Sequence, residues 1–286
     1  MRAMTAILFA SLSLPCAMSA MAADTDWKKV DLVFGRSAAV TGPVHRYGLP
    51  RSDLKVSLDG VQLKPGFALG GWVAFEPRGD ATMMMGDLVL TEAEINPVMT
   101  KLLAEGLQVT AVHNHLLRAT PPTFYMHVSG MGDAETLARM TRVALEESQT
   151  PWEMSAAPAP VATDLGLDTA KIDEAIGFKG HDNNGVYQFG VPRSDSIKQD
   201  GTAIPGAMGT VIAINFQPTG DGKAAITGDF VALADEVNPL IKALRDNDIE
   251  VTAIHNHMLD DAPRAFFVHF WANDDAVRLA KGLRAG

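Results

Sequence analysis

Two near-identical heptapeptides constrain this chain more than any other feature. VTAVHNH occupies 109–115 and VTAIHNH occupies 251–257, 142 positions further on. The same shift lays YGLPRSD (47–53) on FGVPRSD (189–195), and GDLVLTEAEINPVMTKLL (86–103) on GDFVALADEVNPLIKAL (228–244). It also brings His127 onto His269. Self-similarity over such a length marks a duplicated folding unit, and it has to be recognised before any single element is assigned. We read a first unit over 23–148 and a second over 169–286. They are joined by a linker over 149–168 whose QTPWEMSAAPAPVATD stretch is rich in Pro and Ala.

Within each unit the hydrophobic pattern changes period. LKVSLDGVQL (54–63), GGWVAFEP (70–77) and MMMGDLVL (83–90) read as short strands broken by Gly and Pro. INPVMTKLLAEG (95–106) then switches to helical spacing, with Ile95, Val98 and Leu102 on one side. Asn96 and Pro97 suit an N-cap and first turn, and Gly106 suits a terminator. QVTAVHNH (108–115) and PPTFYMHVSG (121–130) follow as strands, and DAETLARMTRVALEES (133–148) as an amphipathic helix. The expected fold class is α+β: two tandem copies of one unit, each a mainly antiparallel sheet with packed helices.

A formal charge of −10 and a pI near 5.2 argue against nucleic acid and against docking on anionic lipid, because both need clustered cations. The N-terminus reads as a signal peptide over 1–22. Arg2 supplies the positive end, AILFASLSLPCAMSA (6–20) the apolar run, and Ala20-Met21-Ala22 the small-x-small cleavage site. The run is too short for a membrane span. A periplasmic or secreted protein is expected. Lipidation at Cys16 is the rival, and Pro15 before it fits that signal poorly. Cys16 is the only cysteine, so the exported chain has neither disulfide nor thiolate ligand, and a transition-metal site must use His, Asp, Glu or Met.

Six of the eight histidines fall in two corresponding triplets: His113, His115 and His127, then His255, His257 and His269. On a strand, His113 and His115 share a face about 6.6 Å apart. A hairpin through LLRATPPT (116–123) brings His127 onto the neighbouring strand. Three imidazoles per copy then converge on one divalent ion, zinc or copper. Structural or substrate-binding histidines, and a metal-free acid–base role, are the alternatives. A fourth ligand or base is sought among carboxylates present in both copies: Asp53/Asp195, Asp87/Asp229, Glu94/Glu236 and Asp133/Asp275. Glu94 and Glu236 are preferred. Asp133 and Asp275 read as N-caps, and PRSD as a turn holding an ion pair. Met83-Met84-Met85 reads as core, because the second copy has Ala225-Ile226-Thr227 there. Tyr125 and Trp271 read as packing. No Gly-rich phosphate loop, nucleophile elbow or HExxH helix is present, so no nucleotide cofactor is expected.

The pairing of VTA[VI]HNH with a following aromatic-x-x-His strand, and the upstream E-[IV]-N-P-[VL] helix start, resembles the LppY/LpqO-type family of bacterial secreted proteins and lipoproteins of unknown function. The resemblance spans nearly all of the chain beyond 22 and implies an exported envelope protein. It carries no catalytic residue with it. Three functions are consistent with the residues: a metal-binding protein, a metal-dependent hydrolase, or a non-catalytic envelope module that binds a peptide, glycan or small ligand in the cleft between its copies. Whether the protein is an enzyme, and its oligomeric state, stay open at this point.

Overall fold

The computed structural model describes residues 25–152 and 164–286. The expected signal peptide, Cys16 and residues 153–163 of the expected linker lie outside the described residues. In the first copy, strands β1 (Ala39–Thr41), β2 (Val44–Pro50), β3 (Gly70–Arg78), β4 (Ala81–Leu90), β5 (Gln108–His113) and β6 (Phe124–Gly132) form an antiparallel sheet. Their spatial order is β1-β2-β3-β4-β6-β5. The second copy repeats that order with β7 (His181–Asp182), β8 (Tyr187–Pro192), β9 (Val211–Gly220), β10 (Lys223–Leu233), β11 (Glu250–His255) and β12 (Ala265–Asp275). The duplicated α+β architecture expected from the repeat is the one the chain adopts.

Each sheet is covered on one face by its own helices and on the other by its twin. Helices α1 (Trp27–Phe34), α2 (Glu92–Glu105) and α3 (Ala134–Leu145) bury Val98, Leu102 and Leu137 against Met84, Met126 and Val128 of the first sheet. Helices α4 (Thr169–Ile176), α5 (Val237–Asp246) and α6 (Ala276–Ala285) do the same for Val268 and Phe270 of the second. Two further apolar clusters cross between the copies. One joins Trp72, Ala74, Met83 and Met85 to Met208, Val231 and Phe267, and the other joins Phe67, Val89 and Tyr125 to Ala225 and Trp271. An antiparallel sheet normally leaves one face wet and shows alternation. Here both faces are dry, which is why MMMGDLVL reads as an unbroken apolar run. Met83 and Met85 face the other sheet and Met84 faces the helices, so the methionine triplet is core, as its copy-two counterpart suggests.

Three local expectations change. Helix α2 starts at Glu92, with Asn96 and Pro97 inside it, because Thr91 and Glu94 form a capping box that nucleates the helix one turn earlier. The second copy lacks that box and its helix starts at Val237. Residues 54–63 form a two-stranded hairpin turning through Asp59 and Gly60, both at positive φ, outside the main sheet. The expected strand at 108–115 ends at His113. Asp133 and Asp275 are N-caps, accepting from the Thr136 and Arg278 amides.

The PRSD and E-[IV]-N-P segments recur because they meet. Arg51, almost wholly buried, donates to Glu94 Oε2 at 2.7 Å, to the Val89 carbonyl at 2.9 Å and to Asp53. Arg193 repeats the set with Glu236, the Val231 carbonyl and Asp195. Each arginine thus ties the end of one strand to the end of a central strand and the start of a helix. The pair is buried in the first copy, while the Glu236 side chain is 44% exposed in the second. Breaking a buried pair strands its partner's charge, whereas exposed pairs are screened. Arg51→Ala is therefore expected to lower the unfolding free energy by about 3 kcal/mol and Arg193→Ala by about 1 kcal/mol or less, measured by urea denaturation. Equal losses would contradict this assignment.

Candidate metal centre

Strand alternation aims the histidines between the sheets. On β6, Met126 and Val128 point to the helices, so Tyr125, His127 and Ser129 face the other copy. On β12, Val268 and Phe270 point to the helices, so Phe267, His269 and Trp271 face inward. His113 and His255 end β5 and β11, and pair in register with Tyr125 and Phe267. His115 and His257 lie two residues past these strands. Each is held by ring stacking: His115 on Tyr125 at 3.6 Å between centroids, and His257 on Phe267 at 3.2 Å.

The six rings meet in one cluster, and they pair across the copies. His113 stacks on His255 at 3.5 Å, His115 on His269 at 3.5 Å, and His127 on His257 at 3.8 Å. His113 and His255 are equivalent positions of the repeat, so a pseudo-twofold axis passes between their rings. The other two pairs exchange under the same operation. The expectation of a separate triplet in each copy is thereby corrected. The sets whose ligand atoms lie within 4.8 Å of one another are His113–His127–His255, His115–His255–His269 and Asp229–His257–His269. Two of the three mix the copies, because the sheets pack face to face rather than side by side.

The preferred carboxylates are not among these sets. Glu94 and Glu236 are consumed by Arg51 and Arg193 and by backbone amides at their helix starts. Arg51 and Arg193 hold Glu94 and Glu236 below the ordinary carboxylate range, although burial opposes this, most of all at Glu94. The carboxylates beside the imidazoles are Asp87, opposite His127 in register, and Asp229, opposite His269. Asp87 Oδ1 lies 3.9 Å from His127 Nε2. A signal for them exists in the repeated Gly-Asp of GDLVL and GDFVA. A Cβ on Gly86 would stand 2.9 Å from the Trp72 carbonyl oxygen, and one on Gly228 only 1.9 Å from that of Ala213. Only glycine lets the neighbouring strands approach so closely beside each aspartate.

Burial dominates the electrostatics. It pushes His113 down to about 3 and His255 to about 4, with the facing His255 adding to the shift of His113. Burial and the neighbouring rings hold His115, His127, His257 and His269 well below the usual imidazole range. All six are therefore neutral at pH 7. Burial lifts Asp229 to about 7, and burial plus the Asp229 charge lifts Asp87 well above its ordinary value. The Nε2 atoms of all six histidines, and Asp87 Oδ1, are buried with no hydrogen-bond partner among the described residues. Backbone hydrogen bonding at Gly86 and Gly228 holds the rings of His127 and His269. The remaining two histidines play no part: His45 stacks on Trp27 at 3.6 Å and His181 is exposed on an edge strand.

A cavity of about 250 Å³ adjoins the cluster. Asp229, His257 and His269 line it from the second copy, and Asp87, His115, Tyr125, Arg46 and Trp72 from the first. Tyr125 thus faces a cleft as well as packing. Trp271 packs on Phe67 and donates to Asp59.

Taken together, fold and site define a tandem-duplicated α+β protein with one histidine cluster between its copies. The chain belongs to the family described as "Domain of Unknown Function (DUF1259)", which matches residues 28–147 and again 170–286. No curated protein matches it. Among solved structures, it is similar to a double ringed trimeric shell protein from the RMM microcompartment, at 12% identity and TM-score 0.21 over 72% of this chain and 81% of that one. It is also similar to the trimeric bacterial microcompartment shell protein PduB, at 12% identity and TM-score 0.21 over 87% and 90%. Likenesses so remote have no bearing on fold or function here.

The buried ring nitrogens lead us to expect that the metal-free protein is acid-sensitive. A histidine with a folded pKa below 6.5 stabilises the fold fully at higher pH. That stability is lost as pH falls from 6.5 toward 4 and 3, because the unfolded chain takes up the protons. Asp87 and Asp229 act oppositely over about pH 4 to 7, but two groups oppose six. Each neutral ring contributes up to about 1.4 kcal/mol per pH unit. The urea midpoint of chelator-treated protein should therefore fall clearly between pH 7 and pH 5. A constant midpoint over that interval would mean that the rings titrate normally.

Proposed function

We propose that the protein is an exported binder of a divalent transition metal, zinc or copper, at one composite centre between its two copies. The supporting observation is the set of six buried, partnerless Nε2 atoms. Leaving a buried acceptor unsatisfied costs about 1–3 kcal/mol, and a cation between the rings would satisfy several at once. Ligand imidazoles must be neutral, and here they are neutral at pH 7. Imidazole with carboxylate, and no thiolate, suits zinc or copper. The N-terminal segment and the LppY/LpqO-type resemblance support export to the periplasm or beyond. Among the described residues no helix is long and apolar enough to cross a membrane.

A second reading, a metal-dependent hydrolase, is favoured by the Asp229–His257–His269 set facing the cavity. Three protein ligands leave a position for water, whose pKa zinc lowers to about 7.

The test is metal content by mass spectrometry on protein purified without an affinity tag. At least one equivalent is expected. His255→Ala with His269→Ala removes a ligand from all three sets and is expected to abolish binding while circular dichroism is unchanged. A wild-type chain that neither carries nor takes up zinc or copper would end this reading.

A further inference from the structure

Arg46 is the guanidinium of the cavity, a cation that the metal reading leaves unused. Its guanidinium lies over the Trp72 ring, 3.9 Å from the centroid, and donates through Nη1 to the Ala207 carbonyl at 2.8 Å. Those contacts fix the plane of the group and engage one of its donors. The guanidinium forms no ion pair among the described residues; burial lowers its pKa to about 10, and the charges of Asp87 and Asp229 act on it and partly oppose that shift. The position is specific to one copy. The repeat places Gln188 where Arg46 stands, and the strand register places Ala213 where Trp72 stands.

A second observation points the same way. A surface groove of about 690 Å³ shares Arg46, Gly66, Trp72 and Gln188 with the cavity and leads away from it. Its charged lining is Arg36, Arg46 and Lys64, with no Asp or Glu. Arg36 and Lys64 are bonded to carbonyl oxygens, which leave their charge in place. On a chain with a formal charge of −10, an all-cationic approach to a buried site concentrates small anions.

We propose that this cavity binds a small carboxylate anion, held between Arg46 and a metal on Asp229, His257 and His269, and supplied through the basic groove. The proposal rests on the metal reading above and adds the ligand class. A carboxylate matches the edge of a fixed guanidinium with two parallel N–H···O bonds. Its single charge suits a site that also contains Asp87 and Asp229 better than a phosphate dianion does. A cavity of about 250 Å³ lies below the usual range for drug-sized ligands and suits a small one.

The experiment is isothermal titration calorimetry of zinc-loaded full-length protein with glycolate, and separately with inorganic phosphate. Zinc content is measured on every sample. Arg46→Gln copies the residue found at the equivalent position of the other copy, and Arg46→Lys keeps the charge without the fork. Glycolate should bind the wild type, about tenfold or more weaker to Arg46→Gln, and with intermediate affinity to Arg46→Lys, at equal zinc content. No binding to the zinc-loaded wild type, equal binding to Arg46→Gln, or tighter binding of phosphate would each overturn the proposal. Failure of the metal reading shows separately, as absent zinc.

Discussion

Four buried and two half-buried imidazoles gather where two sheets meet face to face, and much else in the fold accommodates that burial. Transferring polar rings into a dry interface is unfavourable unless their nitrogens are satisfied. The apolar clusters on either side of the histidines supply the driving force that holds the sheets together there. Trp72, Met85 and Phe267 close one flank, and Phe67, Tyr125 and Trp271 the other. The paired aromatic supports, Tyr125 under His115 and Phe267 under His257, keep rings beyond the strand ends from swinging out.

The symmetry of the cluster is broken close to its centre. The stacked pairs obey the pseudo-twofold closely, yet the cavity wall does not. One copy contributes a cation over an indole, while the other contributes Gln188, bonded to Asn183, Asn215 and the Gly66 carbonyl. Duplication first doubles a site, and divergence then assigns its halves different chemistry. Here the second copy brings Asp229, His257 and His269 together, and the first copy lines the cavity around them with Arg46, Trp72 and Tyr125.

Much of this was legible in the letters. The repeat predicted the duplicated α+β fold, and strand alternation predicted that His113 and His115 point to one side. PRSD was readable as an ion pair and Asp133 as a cap, because those interactions are local. What failed was everything that depends on how the copies dock. A 142-residue shift says that two histidine triplets exist but not whether they lie apart or together, since periodicity describes an element and not its partner. Glu94 looked attractive for its recurrence, but the same recurrence served Arg51. Asp87 carried the better signal, in a glycine beside it whose missing Cβ admits a neighbouring strand.

His113 and His255 are the same residue of the repeat laid ring to ring across the axis. A half-length chain bearing this face would recreate the cluster only by pairing with itself, so its affinity for a shared ligand would rise with protein concentration. Covalent tandem fusion replaces that bimolecular encounter with a fixed, high effective molarity. The cluster then keeps its six rings together at any dilution.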